Sequence, residues 1–366
     1  MSVDAVHTAF DESQRELGCE FMDWEGWLWP NHFGAPTAEH RAVREGVGIW
    51  DESPLRKWDF TGPDALRAAD RIFTNDMLGL ARGQIRYAPF CDDNGTMVGD
   101  GTVFKFDDDH AWVITALDSD LDHFEDVVRG LEVEIKPITA ELPHVQLQGP
   151  RSRELLAGVC DADVAGLRYF HFFPEQVRVG GVPAWVSRTG YSGELGFEIF
   201  CAPSDAASLW SELTGAGASP YGLAAVETLR IESGLIFIGY DYFQHQTNPY
   251  NMSLDKVIRL DTDDFCGKQA LAATAEDPPR RFVTLALDGA AVPEYGAAVT
   301  SGGAPAGTLT SPCESPTLGR VIGLAVLEAQ FAAPGTRVNV ELADGTSEAT
   351  VASLPLYDPE KRRPRA

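Results

Sequence analysis

A glycine-rich stretch at residues 187–200 (Ser-Arg-Thr-Gly-Tyr-Ser-Gly-Glu-Leu-Gly-Phe-Glu-Ile-Phe) constrains the fold more than any other feature of the chain. It continues a strand that starts at Val182, breaks at a turn and resumes at Gly196. The glycines predict a tight hairpin whose backbone can come close to a ligand. Tyr191 and Glu198 would then project from a fixed scaffold, the first as a ring for stacking and the second as a carboxylate for a planar pair of N–H donors.

Composition indicates a folded, acidic protein. The 366 residues are enough for two or three domains, and 44% hydrophobic residues with 10% aromatic residues supply a sizeable core. Lysine and arginine total 29 against 55 aspartates and glutamates, which gives a net charge of −26. Because like charges repel, this balance argues against nucleic acid and anionic membranes as partners.

The six cysteines are scattered, with no C-x-x-C pair and no cluster of histidines. This pattern argues against a structural zinc site and against a disulfide scaffold, so we expect no metal. The polar, acidic N-terminus lacks a signal-peptide profile, and no apolar run approaches the length of a membrane span. We therefore expect a cytoplasmic protein with reduced thiols.

Hydrophobic patterning divides the chain into three stretches. Residues 1–50 are aromatic-rich and irregular before a helix that starts at about residue 39, and residues 51–140 and 141–275 each mix helices and strands. Beyond residue 275, short strand-like runs alternate with glycine and proline turns, which predicts a small all-β barrel or sandwich. The expected fold class is therefore α+β.

Further short motifs lie along nearly the whole chain, at residues 24–30, 39–51, 87–100, 148–150, 229–235, 248–249, 265–271 and 315–325. The second reads Glu-His-Arg-Ala-Val-Arg-Glu-Gly-Val-Gly-Ile-Trp-Asp, and the third ends in Met-Val-Gly-Asp. Together with the hairpin, and in this order, they resemble the glycine-cleavage T-protein family, the tetrahydrofolate-dependent aminomethyl- and methyltransferases. A single match would be weak, whereas this many in sequence make the resemblance strong.

The resemblance implies a three-domain cloverleaf around a central folate channel, with two mixed α/β domains and a C-terminal all-β barrel or jelly roll. Residues 1–50 and 141–275 would form a discontinuous folate-binding domain. Residues 51–140 would be an α+β domain inserted into it, and residues 276–366 would be the β domain. The implied cofactor is tetrahydrofolate.

By the same resemblance, Asp100 lies beside the reacting nitrogen of folate and is the predicted catalytic residue. Tyr87, Tyr191 and Glu198 line the pterin pocket, and Arg188 is a further predicted cofactor contact. The folate N5 amine loses a proton when it takes up a carbon unit, and a nearby carboxylate can orient that nitrogen or receive the proton. The alternative for Asp100 is an acid at a turn or strand end, since glycines flank it.

Three departures separate the chain from a standard aminomethyltransferase of the family. An Asp-Asp pair is reduced to Gly99-Asp100, an expected arginine is Val226, and a Val-Asn-Ala-x-Asn motif becomes a segment that ends in Asp118-Ser-Asp120. These changes put transfer from a lipoyl-bound aminomethyl group in doubt. They make the chain more similar to folate-dependent demethylases, of which the dimethylsulfoniopropionate demethylase is the first comparison.

An aromatic pocket could bind the methyl donor. The predicted donor contacts are Trp24, Trp27, Trp29, Asp118 and Tyr240. Aromatic faces suit a sulfonium or quaternary ammonium ion through cation–π attraction, and the carbon of such an ion is already activated for displacement. The alternative is that these aromatic residues only pack in the core.

Three functions remain open. The first is a methyltransferase or demethylase that moves a methyl group from a small S-, N- or O-methylated metabolite to N5 of tetrahydrofolate, giving 5-methyltetrahydrofolate. The second is an aminomethyltransferase that works with a lipoyl carrier protein and gives methylenetetrahydrofolate; a functional arginine near Val226 in space would favour it. The third is a non-catalytic folate-binding protein of the iron–sulfur maintenance type, which the displaced Cys266 disfavours. Arg362 and Arg363 could contact a polyglutamate tail on the folate.

Overall fold

The structure is a computed structural model and describes residues 5–366. Its helices are α1 Asp11–Glu16, α2 Pro36–Glu45, α3 Ala65–Ile72, α4 Asp120–Val127, α5 Ser152–Val159, α6 Ala206–Gly215, α7 Leu223–Glu232 and α8 Lys268–Thr274. Its strands are β1 Glu20–Trp24, β2 Trp27–His32, β3 Gly48–Asp51, β4 Arg56–Thr61, β5 Ile85–Cys91, β6 Met97–Asp107, β7 His110–Thr115, β8 Glu134–Pro137, β9 His144–Gln148, β10 Val177–Val179, β11 Val182–Ser187, β12 Gly196–Cys201, β13 Ser219–Pro220, β14 Arg280–Leu287, β15 Ala298–Ser301, β16 Ala304–Ser315, β17 Arg320–Glu328, β18 Arg337–Leu342 and β19 Gly345–Ala352. No helix in this described part is long and apolar enough to cross a membrane.

The N-terminal segment contains a β-hairpin where the sequence suggests irregular chain. Strands β1 and β2 pair antiparallel, and Trp24 lies opposite Trp27 across a two-residue turn. The turn residues, Glu25 and Gly26, both have positive φ angles, 48° and 79°. Two consecutive positive φ angles are the signature of a type I′ turn, whose twist matches that of the strands it connects. The Glu-Gly pair was the signal that the sequence analysis missed.

Two sheets follow the hairpin. One has six strands in the order β10-β11-β12-β9-β3-β13, and the other has five in the order β5-β6-β7-β4-β8. Strands β3 and β9 pair antiparallel, so the chain before and after the five-stranded sheet meets in the six-stranded one. This order supports the predicted division into a discontinuous domain, 1–50 with 141–275, and an inserted domain, 51–140. The division itself stays a prediction.

Both faces of the five-stranded sheet are covered. On one face Phe60 and Val113 pack in a core with residues of helices α3 and α4. On the other face Trp112 packs against Phe200 of the six-stranded sheet, with ring centroids 5.9 Å apart. Because both faces are buried, strands of this sheet do not show a simple alternation of buried and exposed residues.

The C-terminal strands close into a barrel in the order β14-β17-β16-β15-β18-β19, and β19 returns to pair with β14. Aliphatic side chains such as Leu285, Leu309, Leu327 and Val351 fill its core. Closure removes the unpaired edges that an open sheet of short strands would present. The predicted all-β barrel is confirmed, and with it the α+β fold class.

Candidate active site

Asp100 lies within strand β6, opposite Pro89 on strand β5. Its carboxylate accepts a hydrogen bond from the hydroxyl of Tyr87 at 2.8 Å and another from the hydroxyl of Tyr242. Tyr87 is on β5, whereas Tyr242 lies in the loop after helix α7. Burial raises the pKa of Asp100, and the two hydroxyl groups oppose that shift by stabilising the ionised form. The result is a carboxylate that is held in place and is more basic than an exposed aspartate.

The glycines beside Asp100 serve packing rather than a turn. A Cβ atom at Gly99 would lie 2.5 Å from the ring of Phe90, and one at Gly101 would lie 2.4 Å from the carbonyl oxygen of Ile114. Close-packed interiors do not tolerate such contacts without movement. The missing first acid of the Asp-Asp pair is therefore part of how β6 packs, since a side chain at position 99 would displace Phe90.

Glu198 lies on strand β12 and is held by two hydroxyl groups from the end of β11 and the loop that follows it. Its Oε2 atom accepts hydrogen bonds from Thr189 at 2.8 Å and from Ser187 at 3.3 Å. Burial raises the pKa of Glu198 to about 7, against the opposing effects of the two hydroxyl groups and of Lys57. Within residues 5–366 its Oε1 atom accepts no hydrogen bond, so one carboxylate oxygen remains available to a ligand.

Tyr191 is fixed by the loop between β11 and β12. Its backbone N–H donates to the side-chain oxygen of Gln146 at 3.2 Å, and its hydroxyl donates to the carbonyl of Ile236. We predicted that the glycines of this loop would lie close to a ligand. Gly190 instead lies close to the side chain of Gln148, because a Cβ atom at Gly190 would be 2.1 Å from that amide. The glycines therefore let the loop pack on the sheet, and the ring of Tyr191 is the part that is presented.

We refer to the four residues that are predicted to surround the pterin, Tyr87, Asp100, Tyr191 and Glu198, as the Asp100 enclosure. All four are only partly exposed, and burial is the largest influence on the pKa of each. Asp100 further raises the pKa of both tyrosines, which requires that they lie near it. Two carboxylates and two tyrosine rings, with one free carboxylate oxygen, fit a flat ring system that is rich in N–H donors. The residues present are thus compatible with a bound pterin.

Arg188 is not part of the enclosure. Its guanidinium donates to the carbonyl oxygens of Leu167 at 3.2 Å and Pro364 at 3.1 Å, and it lies 5.7 Å from the ring centroid of Phe197. Burial and, to a smaller extent, the nearby Arg153 lower the pKa of Arg188 to about 10. Arg188 therefore supports the C-terminal segment, and its role as a cofactor contact stays a prediction.

The predicted donor pocket already contains a cation. The guanidinium carbon of Arg56 lies 5.8 Å from the ring centroids of both Trp24 and Trp27, and its Nε atom donates to Asp118 at 2.7 Å. Trp29 is buried, and its indole N–H donates to the carbonyl of Asp51 at 2.6 Å. Trp29 therefore packs in the core, and Arg56 occupies the position that an onium group would take between the other two rings.

Tyr240 and Tyr242 point to different places. The ring of Tyr240 lies 5.5 Å from Phe237 and 5.2 Å from Tyr295, near the barrel and partly exposed. Tyr242 contacts Asp100, whereas Tyr240 is the tyrosine of this segment that the sequence analysis predicted as a site residue. Gly239, with a φ angle of 87°, lies in the bend that separates the two tyrosines from helix α7. No sequence pattern distinguished one tyrosine from the other.

A buried lysine next to the enclosure was missed entirely. Lys57 on strand β4 donates to the carbonyls of Ser53 at 2.9 Å and Leu55 at 2.8 Å. Burial lowers the pKa of Lys57 to about 7, while Glu52 and Glu198 raise it. The sequence carried no signal for this lysine, because a lysine in a strand is usually on a solvent-exposed face.

The arginine nearest to Val226 along helix α7 is Arg230, one turn further on. It donates to Asp241 at 2.6 Å, to Glu227 at 2.8 Å and to the hydroxyl of Ser311 at 2.8 Å. Its side chain is fully buried. Arg230 thus ties the helix to the barrel, and its donors are taken up by these partners.

Comparison with known proteins identifies the family. The chain matches the sequence profile of the GCVT N-terminal domain over residues 10–262 and that of the glycine cleavage T-protein C-terminal barrel domain over residues 280–358. The solved structure of a glycine cleavage system aminomethyltransferase T from Bartonella henselae has the same fold, with a TM-score of 0.89 and 24% identity over 96% of this chain and 98% of that one.

Two relatives extend the comparison along the whole chain. The chain is 34% identical to an aminomethyltransferase of Streptomyces coelicolor over 98% of its own length and 100% of that protein. It is 36% identical to a trimethylamine-oxide aldolase of Ruegeria pomeroyi over 98% of its own length but only 48% of that protein. The chain therefore belongs to the glycine-cleavage T-protein family and is a one-carbon transferase that uses tetrahydrofolate.

Proposed function

We propose that the chain transfers a methyl group from a small methylated metabolite to N5 of tetrahydrofolate, with Asp100 as the residue that receives the N5 proton. The observation that carries this proposal is the Asp100 carboxylate, which is partly exposed and oriented by two tyrosine hydroxyl groups. Tetrahydrofolate supplies a secondary amine that accepts the carbon unit and gives up a proton.

Asp100 suits that proton because burial raises its pKa, which brings its basicity closer to neutral pH. The hydroxyl groups of Tyr87 and Tyr242 keep both carboxylate oxygens in fixed positions, so that little reorganisation is needed when the proton arrives. Proton acceptance by a carboxylate placed in this way typically contributes a factor of about 10² to 10⁴ to the rate.

Glu198 and Tyr191 are proposed to hold the pterin. The free Oε1 atom of Glu198 can accept from an N–H group while Thr189 and Ser187 fix the other oxygen. The ring of Tyr191 is anchored at its hydroxyl and its backbone N–H, so its face is presented at little entropic cost.

Two observations support a small, free methyl donor. Position 226 is a valine, and Arg230, the arginine one turn further along helix α7, is engaged by Asp241, Glu227 and Ser311. The relative from Ruegeria pomeroyi is named for trimethylamine oxide, a small methylated compound. Since Arg56 already lies between Trp24 and Trp27, we do not assign an onium group to those rings.

Aminomethyl transfer from a lipoyl carrier protein is the second candidate. The favouring observation is the full-length similarity to the Streptomyces coelicolor protein, which is named an aminomethyltransferase. The non-catalytic alternative is set aside, because relatives that match nearly the whole chain are named aminomethyltransferases.

One experiment separates the two candidates. The protein is incubated anaerobically with tetrahydrofolate, in one arm with pooled sulfonium, betaine, N-methyl and methoxy-aromatic donors and in the other with an aminomethylated lipoyl carrier protein. Mass spectrometry then identifies the folate product. The proposal predicts 5-methyltetrahydrofolate in the first arm, and its absence together with methylenetetrahydrofolate in the second arm would establish the aminomethyltransferase instead.

A further inference from the structure

Polar side chains from three strands share one face of the six-stranded sheet. Glu198 on β12 lies opposite Gln146 on β9, and Gln146 follows His144 by two residues on the same strand. Just beyond the end of β3, the backbone N–H of Glu52 donates to the carbonyl of His144 at 3.1 Å, which continues the pairing of β3 with β9. Opposed residues of antiparallel strands, and every second residue along a strand, present their side chains on the same face. Glu52 therefore lies on the face that carries Glu198.

The carboxylate of Glu52 is buried and is held by two donors. Its Oε2 atom accepts from the side-chain amide of Gln146 at 2.6 Å and lies 3.1 Å from the Nε2 atom of His144. Burial, and after it the charge of Lys57, lowers the pKa of His144 well below its ordinary value. The imidazole is therefore neutral, and its Nε2 atom carries the proton that it donates to Glu52.

Gln146 connects Glu52 to Tyr191. The Oε1 atom of the Gln146 amide accepts the backbone N–H of Tyr191 at 3.2 Å, while its Nε2 atom donates to Glu52. Gln146 is buried, so water does not replace a lost partner. A flipped amide would turn its NH₂ group towards the N–H of Tyr191 and its oxygen towards the carboxylate, which leaves buried groups unpaired. Glu52 thus determines the direction in which this amide points.

The Tyr191 loop depends on such contacts for its position. Gly190 and Gly193 lie on either side of the tyrosine, and Gly193 has a φ angle of 74°. Glycine gives a chain more conformational freedom than any other residue, so the loop has little rigidity of its own. Within residues 5–366 the N–H of Tyr191 has no acceptor other than Gln146. The contact that begins at Glu52 is therefore one of the few that fix this backbone.

Glu52 also lies near the second predicted pterin contact, Glu198. Burial raises the pKa of Glu52 well above its ordinary value, and the charge of Glu198 raises it further. Gln146 and Lys57 act in the opposite direction. Because the effect of one carboxylate on another falls with distance, Glu52 and Glu198 are neighbours on this face.

We propose that Glu52 is a positioning residue of the folate site, which holds the Tyr191 loop in place by fixing the side-chain amide of Gln146. This inference rests on the proposed function, which places the pterin against Tyr191. Glu52 and Gln146 lie outside the sequence motifs at residues 39–51 and 148–150 that carry the family resemblance. Those motifs therefore do not account for the pair.

The test measures the loop and the binding of tetrahydrofolate separately. Hydrogen–deuterium exchange in peptides spanning residues 188–195 reports how firmly the loop is held, and anaerobic calorimetry gives the dissociation constant. Glu52→Leu removes the acceptor, whereas Glu52→Gln keeps an oxygen that can accept from Gln146. We expect Glu52→Leu to speed exchange in the loop and to weaken binding, each roughly tenfold, as the loss of one hydrogen bond to a charged group allows. Glu52→Gln should stay within roughly threefold of the wild type in both.

Gln146→Leu breaks the same series of contacts at its middle and keeps the test informative if Glu52→Leu does not fold. It should change exchange and binding in the same way. Adding Glu52→Leu to Gln146→Leu should weaken binding by no more than roughly twofold further, because two residues that act through one contact are not additive.

The matched control is Glu39→Leu. Glu39 is also a buried glutamate, and its carboxylate accepts from the backbone N–H groups of Phe33, Ala35 and Gly222. Its replacement removes hydrogen bonds of the same kind at another place. We expect a loss of stability, with exchange in residues 188–195 and the dissociation constant within roughly threefold of the wild type.

Three results would overturn the assignment. The first is unchanged loop exchange and unchanged binding in both Glu52→Leu and Gln146→Leu. The second is the same faster exchange in Glu39→Leu, which would mean that lower stability alone loosens the loop. The third is a double variant whose loss of binding equals the product of the two single losses. Failure of the proposed function is distinct, since Tyr191→Ala would then bind tetrahydrofolate like the wild type while loop exchange still responded to Glu52→Leu.

Discussion

Two groups of buried charges in this protein differ in how completely they are paired. The α7 network consists of Arg44, Glu194, Glu227, Arg230, Glu232 and Asp241. Each of its two arginines forms ion pairs with two carboxylates, at distances between 2.6 and 2.9 Å. The Asp100 enclosure instead surrounds its two carboxylates with hydroxyl groups, and within residues 5–366 no arginine forms an ion pair with Asp100 or Glu198.

The two glutamates at the centres of these groups differ accordingly. Despite burial, hydrogen bonding and charge from His40 and Arg44 hold the pKa of Glu232 at about 2. Burial raises the pKa of Glu198 to about 7, because only hydroxyl groups and the more weakly acting Lys57 oppose it. Complete pairing fixes a charge for a structural purpose, whereas incomplete pairing leaves a carboxylate free to exchange protons and to bind a ligand.

The largest expected effect is on the α7 network. Arg230→Ala removes the cation and leaves the fully buried carboxylate of Asp241 without its ion-pair partner. We expect the free energy of unfolding in denaturant to fall by about 3–5 kcal/mol, the usual cost of breaking a buried ion pair. The exposed Arg259, which forms an ion pair with Asp261, is the control, and its replacement by alanine should cost less than about 0.5 kcal/mol. Similar losses of unfolding free energy in both variants would contradict the view that the ion pairs of the α7 network are structural.

The next effect is on ligand binding at the enclosure. Glu198→Gln keeps the shape of the side chain but removes the charge that we expect to anchor the pterin. Tetrahydrofolate should bind roughly 10- to 100-fold more weakly, in line with one charge-assisted hydrogen bond, while stability changes little. Calorimetry measures the binding, and the exposed Glu154→Gln serves as a control. An unchanged dissociation constant would remove Glu198 from the folate site.

The smallest effect is a dependence of stability on pH. Because the pKa of Glu198 is raised from 4.5 to about 7 on folding, the folded state binds more protons than the unfolded state between these values. The contribution of Glu198 to stability is thus fully present below pH 4.5 and is lost as the pH rises through about 7. The free energy of unfolding, measured in denaturant, should fall less steeply with rising pH across this range for Glu198→Gln than for the wild type. Identical slopes would mean that Glu198 titrates normally.

The sequence predicted the parts of the fold and of the site that depend on local patterns. Strand runs separated by turns predicted the barrel, and the glycine-rich motif predicted the β11–β12 pair. The sequence did not predict Lys57, because the five-stranded sheet is covered on both faces and its strand β4 therefore has no solvent-exposed side along which a lysine would normally lie.

Contacts between residues far apart in the sequence also explain the other features that the sequence analysis did not predict. The segment 364–366 reaches back to Arg188 from 176 residues away, and Arg56 lies between two tryptophans of a hairpin that the sequence analysis treated as irregular. The loss of the first acid at Gly99 was visible in the sequence, but its cause was not. That cause is the ring of Phe90 on the neighbouring strand.

The most direct test of the account is the Asp100→Asn variant, measured for folding, folate binding and turnover together. The account predicts a free energy of unfolding within about 1 kcal/mol of the wild type, tetrahydrofolate binding within roughly threefold, and a rate of folate product formation lower by about 10² to 10⁴. The exposed Asp126→Asn, whose carboxylate pairs with the exposed Arg129, is the control and should retain its turnover within roughly threefold. Turnover of Asp100→Asn within about tenfold of the wild type would contradict Asp100 as the proton acceptor.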